Sequence, residues 1–477
     1  MKFTKKQTAA YGLGAIGKDM VYALSASYVM YYYQDILGLS ATFVGAILMI
    51  ARIFDAANDP FMGVLVAKTK SKWGRFRPWL LSGTVLNAFV LFALFAAPNL
   101  EGTGLMIFFS VVYILWGVTY TMMDIPYWSM IPAVTDNPKD RENLSVVGRT
   151  CAGVGNAIIT IGTMIIVKML GNGNERVGFK WFALIVAVIF VITEVVLCRV
   201  IDEKGTEEEM ETTSVGEMFR SLFANDQAMV TVLTIVLINC ALYITSNLII
   251  YFFKYDFSQS LMDPHKWQET YTLFSSVGGA SQILGMMLVY PLLRKFLGNS
   301  QIFKVCLSSA IIGYALLLIG CLTGLANSLP ILLIPGVLVF LSNGILTVLT
   351  TVFLTSSVDY GELKSGHREE SVIFSMQTLV VKAASGLAVF LTGIGIDLIG
   401  LKGNSDAAGD IVMQSAATLT GLRLMMTIIP ICGLICAFFV FRKHFILTDE
   451  KANEIALELK ARRGEVTNEA GLETDNG

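Results

Sequence analysis

Apolar residues in this chain run in long blocks rather than alternating or marking one face of a helix. A helix that crosses a bilayer needs about 20 mostly apolar residues. Twelve stretches meet that length, at about 9–33, 40–66, 78–98, 104–133, 145–168, 180–199, 227–253, 269–293, 303–323, 329–357, 370–399 and 415–442. They predict an all-α integral membrane protein of twelve transmembrane helices in two six-helix bundles. The polar connection around GTEEEMETT divides the spans six and six. The expected parts are an N-terminal bundle over 1–201, a middle loop over 202–226, a C-terminal bundle over 227–443 and a tail over 444–477. In the tail, Thr448 to Arg463, closed by Gly464, reads as a surface helix.

Two weak echoes link the halves. The basic turn KSKWGRFRPW after the second span corresponds to RKFLGNSQIFK after the eighth, and Asp136 to Glu142 after the fourth to Asp359 to Glu369 after the tenth. Internal repeats of this kind accompany a site near the bilayer midplane between two related halves.

Composition agrees with the blocks: 54% of the residues are hydrophobic and 15% charged, against roughly 25% charged in soluble proteins. A net charge of −2 gives no reason to expect a nucleic-acid partner. Basic residues cluster on one side of the spans: Lys2, Lys5, Lys6, then Lys68 to Arg77, Lys139 and Arg141, Arg294 and Lys295, Lys364 and Arg368, and Arg442 and Lys443. The positive-inside rule therefore puts both termini in the cytoplasm. Lys18 and Asp19 interrupt the first apolar block, so no removed targeting segment is expected. The seven cysteines lie in or at the ends of spans, which suggests neither disulfides nor zinc.

The informative residues are charges inside the spans: Lys18, Asp19, Arg52, Asp55, Asp59, Asp124, Arg149 and Lys382. At roughly 3 kcal/mol each, eight isolated charges would cost about 24 kcal/mol, more than the whole stability of a typical protein. They must be paired, hydrated or bound to something. Glu194 lies near Arg199 and is expected to snorkel to the cytoplasmic interface. Asp55 and Asp59 share one helix face with Arg52, and Asn58 is beside them. Tyr120, Asp124 and Trp128 make a second stripe, with Thr121 three residues before Asp124. Pro60 and Pro126 follow these two polar clusters, and proline frees carbonyls and bends helices where a site could use both.

Asp55, Asn58, Asp59 and Thr121 offer the oxygen ligands that hard cations prefer, and spans seven to twelve hold no carboxylate away from their ends. Arg52 or Lys382 would balance the excess negative charge. The plain alternative is an ion-pair network that only holds helices together. A carboxylate beside an indole suits a sugar, whose hydroxyls donate to the acid while its apolar face stacks on the ring. Asp19, Asp124 and Trp128 fit that role, with Lys18, Arg149 and Lys382 as donors. The run Tyr31, Tyr32, Tyr33 reads as an interfacial anchor.

The motifs GKD at 17–19, ARIFDAANDPFMG at 51–63, KWGRFRPW at 72–79, YILWGVTYTMMDIPYWSMIP at 113–132, DYGE at 359–362 and QTLVVK at 377–382 resemble the glycoside–pentoside–hexuronide:cation symporters. The likeness extends over nearly the whole chain and is strongest in the first half, nearest to the melibiose carriers of that family. It implies a major-facilitator fold in a bacterial plasma membrane and cotransport of a sugar with Na+, Li+ or H+, without a cofactor. By position, the cation site maps onto Asp55, Asn58, Asp59 and Thr121. The sugar site maps onto Lys18, Asp19, Tyr120, Asp124, Trp128, Arg149, Gln377, Thr378 and Lys382. One departure is Thr347, where melibiose carriers hold a tryptophan. Retention of Asp19, Asp124 and Trp128 points to a galactoside-like substrate, and Asn58 to acceptance of sodium.

Alternating access would bring the two halves together on the cytoplasmic side, where Arg75, Arg77, Asp136, Arg141, Asp359 and Arg368 are candidates for a gate. Two rivals remain open: a proton-coupled exporter of the same fold, and a membrane prenyltransferase with magnesium at Asp55 and Asp59. The second would want another acidic motif facing the first, and the second half has none in its spans.

Overall fold

A computed structural model describes residues 4–69, 71–134, 138–201, 223–261, 266–325, 328–365, 370–403 and 411–462. Among them lie twelve long helices at the predicted spans. In the first half these are α1 (Lys5–Tyr31), α2 (Ala41–Lys68), α3 (Arg77–Phe95), α4 (Gly102–Val134), α5 (Pro138–Gly171) and α6 (Glu175–Val200). In the second half they are α7 (Asp226–Tyr251), α8 (Trp267–Leu284), α9 (Asn299–Thr323), α10 (Leu329–Ser365), α11 (Glu370–Leu398) and α12 (Ala416–His444). Helix α13 (Asp449–Arg462) follows in the tail, where the sequence pattern places a surface helix.

The sequence encodes the helix starts. Thr4 and Gln7 form a reciprocal capping box on α1, Ser40 accepts from the Phe43 amide on α2, and Asn174 accepts from the Val177 amide on α6. Each cap satisfies an amide that the first turn leaves without a carbonyl. Helices α2 and α4 run on through Pro60 and Pro126. Side chains such as Phe89, Ile107 and Phe439 stay exposed, as expected of a surface solvated by lipid. Ten of the twelve long helices meet the length and apolarity needed to cross a membrane. The other two, α1 and α2, carry Lys18, Asp19, Arg52, Asp55 and Asp59.

The chain forms two compact units that do not coincide with its two halves. The first comprises 1–212 with 243–276 and 385–426. It therefore joins the first six helices to the outer parts of α7, α8, α11 and α12, "outer" meaning the side away from the termini. Here α1 packs between α5 and α6, α3 packs on α4 and α6, and α2 lies against α4. The second unit comprises 213–242, 277–384 and 427–477. Its core sets Phe303 and Leu307 of α9 against Leu349 and Phe353 of α10 and Leu434 and Phe441 of α12. Helix α13 packs Ile455 and Leu459 against Tyr360 and Leu363. Its first residue, Asp449, pairs with Arg294 at 3.1 Å and accepts from the Asn299 amide at 2.8 Å.

Two expectations need correction. Tyr31, Tyr32 and Tyr33 are not interfacial anchors: all three are buried, and the hydroxyls of Tyr32 and Tyr33 donate to the carbonyls of Phe95 and Leu94. The outer end of α1 is packed within the unit, so the rings fill protein rather than the lipid boundary. Glu194 does not snorkel either, since it is fully buried and neither carboxyl oxygen has a hydrogen-bond partner. It faces inward towards Gly14, Tyr127 and Leu197 around α1, away from the surface that snorkelling requires.

Candidate functional site

Two polar clusters meet on one turn of α4. The first is centred on Lys18 of α1, which is 3% exposed. Its ammonium donates to Asp124 at 2.7 Å and to the Tyr120 hydroxyl at 3.3 Å, and it pairs with Asp19 at 3.1 Å. The same ammonium lies 5.3 Å from the centre of the Trp128 ring and 5.4 Å from that of Tyr127, within cation–π range. Lys18 thus neutralises the acids, and two carboxylates around one cation leave acceptor capacity to spare. Asp124 keeps 30% of its side-chain surface accessible and Asp19 19%. The exposed Arg149 also places its guanidinium 4.6 Å from the Trp128 ring centre. An accessible surface bearing carboxylates, an indole and a guanidinium is chemically suited to a polyhydroxylated ring.

The second cluster lies between α2 and α4. Thr121 donates to Asp59 at 3.4 Å, while Asp55 is buried against Gly117. A Cβ at position 117 would stand 2.5 Å from Asp55 Oδ1, so only glycine lets the carboxylate approach α4 this closely. Asn58 lies between the two acids in sequence, and its amide nitrogen is buried without a hydrogen-bond partner. Two carboxylates, a hydroxyl and a carboxamide are donors of the kind that hard cations prefer. Arg52, one turn from Asp55, stacks its guanidinium 5.3 Å from the Tyr22 ring centre and supplies the neighbouring positive charge.

Tyr120 and Thr121 are adjacent in sequence, yet one hydroxyl bonds to the Lys18 cluster and the other to the Asp59 cluster. Aromatic rings run alongside both clusters. Tyr113, Trp116 and Tyr120 stack in succession at 5.7 and 5.2 Å, and Tyr22 lies 5.5 Å from Tyr120. Sequence reasoning missed Tyr22, Tyr113 and Trp116. Their signal was present: 113, 116 and 120 recur at helical spacing, and Tyr22 is one turn from Lys18. Tyr11 and Tyr127 also stack at 4.5 Å, and each hydroxyl donates to the other's carbonyl, at 3.1 and 2.8 Å. This double tie fixes α1 against α4 next to Trp128. A cleft of about 580 Å³ opens between α1 and α5, bordered by Lys5, Leu13, Ile16 and Cys151.

The remaining sequence-derived positions fall elsewhere. Gln377 and Lys382 belong to the second unit, on α11, and both are half-buried. The side chain of Thr378 lies outside the described residues. Thr347 is exposed on α10 and turns its hydroxyl back to the Asn343 carbonyl. Of the cytoplasmic gate candidates, Arg77 donates to the carbonyl of Ile201 at the end of α6. Arg75 is half-buried in the turn before α3, and Asp359 lies near the cytoplasmic end of α10. Asp136 and Arg368, and the side chain of Arg141, lie outside the described residues.

Comparison with known proteins places these clusters in context. The sequence profile of a family described as "MFS/sugar transport protein" matches residues 10–448. The lactose permease of Lactobacillus delbrueckii subsp. bulgaricus is 26% identical, over 96% of this chain and 72% of its own. The inner membrane symporter YicJ of Escherichia coli strain K12 is 27% identical, over 95% and 94%. The crystal structure of the nucleoside transporter NupG superposes with a TM-score of 0.63 at 16% identity, covering 91% of this chain and 98% of the other. At that identity the likeness concerns the fold, which is that of the twelve-helix major facilitators.

Proposed function

The chain belongs to the MFS/sugar transport protein family and is a multi-pass transporter of the bacterial plasma membrane, not an enzyme; from that premise we propose that it carries a galactoside-like glycoside into the cell together with Na+, Li+ or H+. The sugar would occupy the Lys18, Asp19, Asp124, Trp128 and Arg149 surface. Gln377, Thr378 and Lys382 of α11 are the further sugar residues that the resemblance assigns. The cation would occupy Asp55, Asn58, Asp59 and Thr121.

The observation that carries this reading is the shared turn of α4. Because Tyr120 and Thr121 serve the two clusters from adjacent positions, neither ligand can order its own side of the turn without ordering the other's. A cation on Asp55 and Asp59 would also lower the negative potential felt by Asp124. Each ligand then raises the affinity for the other by the same factor, as linkage requires. Movement of the loaded site from one face of the membrane to the other is alternating access of the kind used by major facilitators.

The driving force suffices without covalent chemistry. A 100 mV potential supplies about 2.3 kcal/mol per charge and a tenfold cation gradient about 1.4 kcal/mol, together roughly 500-fold accumulation at one cation per sugar. Membrane vesicles given labelled galactosides and other glycosides, with sodium, lithium and pH gradients imposed separately, test the proposal. Uptake that follows one of the cation gradients supports it. Sugar uptake indifferent to all three would refute coupling, and efflux of apolar compounds on a proton gradient alone would favour the exporter.

A further inference from the structure

The outer ends of the first and seventh spans are built alike. Tyr31-Tyr32-Tyr33-Gln34-Asp35 closes the first and Tyr251-Phe252-Phe253-Lys254-Tyr255 the seventh, and both finish in a single wide π turn, at Tyr32–Ile36 and Phe252–Asp256. Such turns are uncommon and concentrate at functional sites. Here they aim an acid and a base at each other across the two halves of the chain. The Lys254 side chain is buried, and its ammonium donates to Asp35 at 2.6 Å and to the Tyr31 hydroxyl at 2.6 Å, and lies 3.3 Å from Glu175. Tyr31 in turn donates to Glu175 at 2.6 Å, Tyr255 donates to Asp35, and Gln268 reaches Glu175 at 3.3 Å.

A second tie lies at the start of α2. Asp397, at the outer end of α11, accepts from the Ser40 hydroxyl at 2.7 Å and from the Thr42 and Ala41 amides at 2.8 and 3.2 Å. The carboxylate thereby caps a helix N-terminus belonging to the other half. Below it α11 runs close along α2: a Cβ on Gly393 would strike the Ala41 carbonyl, and one on Gly386 would come 3.2 Å from the Met49 Cα.

We propose that Lys254 with Asp35, Tyr31 and Glu175, together with Asp397 on the first turn of α2, is an outer latch that is broken and remade once in every transport cycle. The inference rests on the symport reading, because only alternating access requires first-half and second-half outer ends to part. The chemistry suits a reversible closure better than a permanent tie. Buried ions give up much of their hydration to pair, so a polar contact adds little net stability while fixing which groups meet. When the ends separate, water rehydrates the same ions, and the open state is not heavily disfavoured. A greasy contact of equal area would lose its driving force on opening and gain nothing back.

The test uses the full-length protein in right-side-out vesicles, with Met49→Cys as a reporter for a membrane-impermeant maleimide. Labelling at position 49 is read by mass spectrometry so that the native cysteines do not interfere. Lys254→Gln, Asp35→Asn and Asp397→Asn should each raise the rate of labelling from outside by about tenfold, equivalent to about 1.4 kcal/mol of shift towards the open state. Lys254→Arg, which keeps the charge, should stay near the parent rate. In inside-out vesicles the native Cys151, which borders the cleft between α1 and α5, should react more slowly in the same three variants. General loosening would instead speed both reactions, and that result would overturn the latch, as would unchanged labelling at position 49 in variants that still bind sugar. If the Met49→Cys parent shows no cation-driven sugar uptake and the native chain shows none either, the symport reading fails on its own account, whatever the labelling rates.

Discussion

Gly117→Ala probes the proposed cation site by a single methyl group placed on α4. An added Cβ would stand 2.5 Å from Asp55 Oδ1, whereas ordinary contact begins at 3.4 Å. Either the carboxylate withdraws or the helices part, by the difference of about 0.9 Å. Oxygen ligands hold a cation of sodium's size at about 2.4 Å, as they do calcium. With an effective dielectric constant of about 20, moving a unit charge from about 2.4 to about 3.3 Å weakens its attraction by roughly 2 kcal/mol. That corresponds to about a 25-fold rise in the cation concentration needed for half-maximal uptake. Alanine is the better helix former by about 1 kcal/mol, so a defect would not come from a weakened α4. The assay is initial sugar uptake in vesicles across a sodium series at fixed potential, beside sugar binding at saturating sodium. A shift in the sodium requirement below about threefold would refute a withdrawal of Asp55 from a bound cation, because displacement at this range cannot leave a direct ligand unaffected.

Three further outcomes follow from the site. Asp59→Cys should abolish cation-stimulated uptake while sparing some sugar binding or exchange, and persistence of normal sodium stimulation would remove Asp59 from the cation site. Asp124→Cys takes away the shortest contact of Lys18, at 2.7 Å, and should abolish sugar binding itself; an unaltered affinity in equilibrium binding would exclude it from the sugar surface. Tyr127→Phe deletes the hydroxyl that donates to the Tyr11 carbonyl at 2.8 Å. It should cost about 1 kcal/mol of stability, seen as a lower unfolding temperature in detergent, while transport at moderate temperature persists.

The architecture was legible because the bilayer demands long apolar runs, and these located the twelve long helices even though charges keep α1 and α2 below full apolarity. The first-half site was legible for the complementary reason that charges in a span are too costly to be incidental. Asp19, Asp124 and Lys18 do meet, as do Asp59 and Thr121. Apart from the aromatic rings at 22, 113 and 116, what stayed hidden lies at span ends. A sequence reading assigns Asp35, Glu175 and Lys254 to watery loops, yet the helices carry them into packed protein. The tyrosines at 31 to 33 misled for the same reason, since aromatic residues at a span terminus look alike whether they face lipid or a neighbouring helix. Glu194 shows the converse error: closeness to an interface along the chain says nothing about which way the helix face is turned.

On the proposed reading, the adjacency of Tyr120 and Thr121 on one turn ties the preference for sweet cargo to the preference for ion. A breeding programme that selects variants for growth on a new glycoside will recover substitutions around this turn, and many of them will change the salt dependence of the strain as well. The reverse selection, for growth at low sodium, should return mutants with an altered diet.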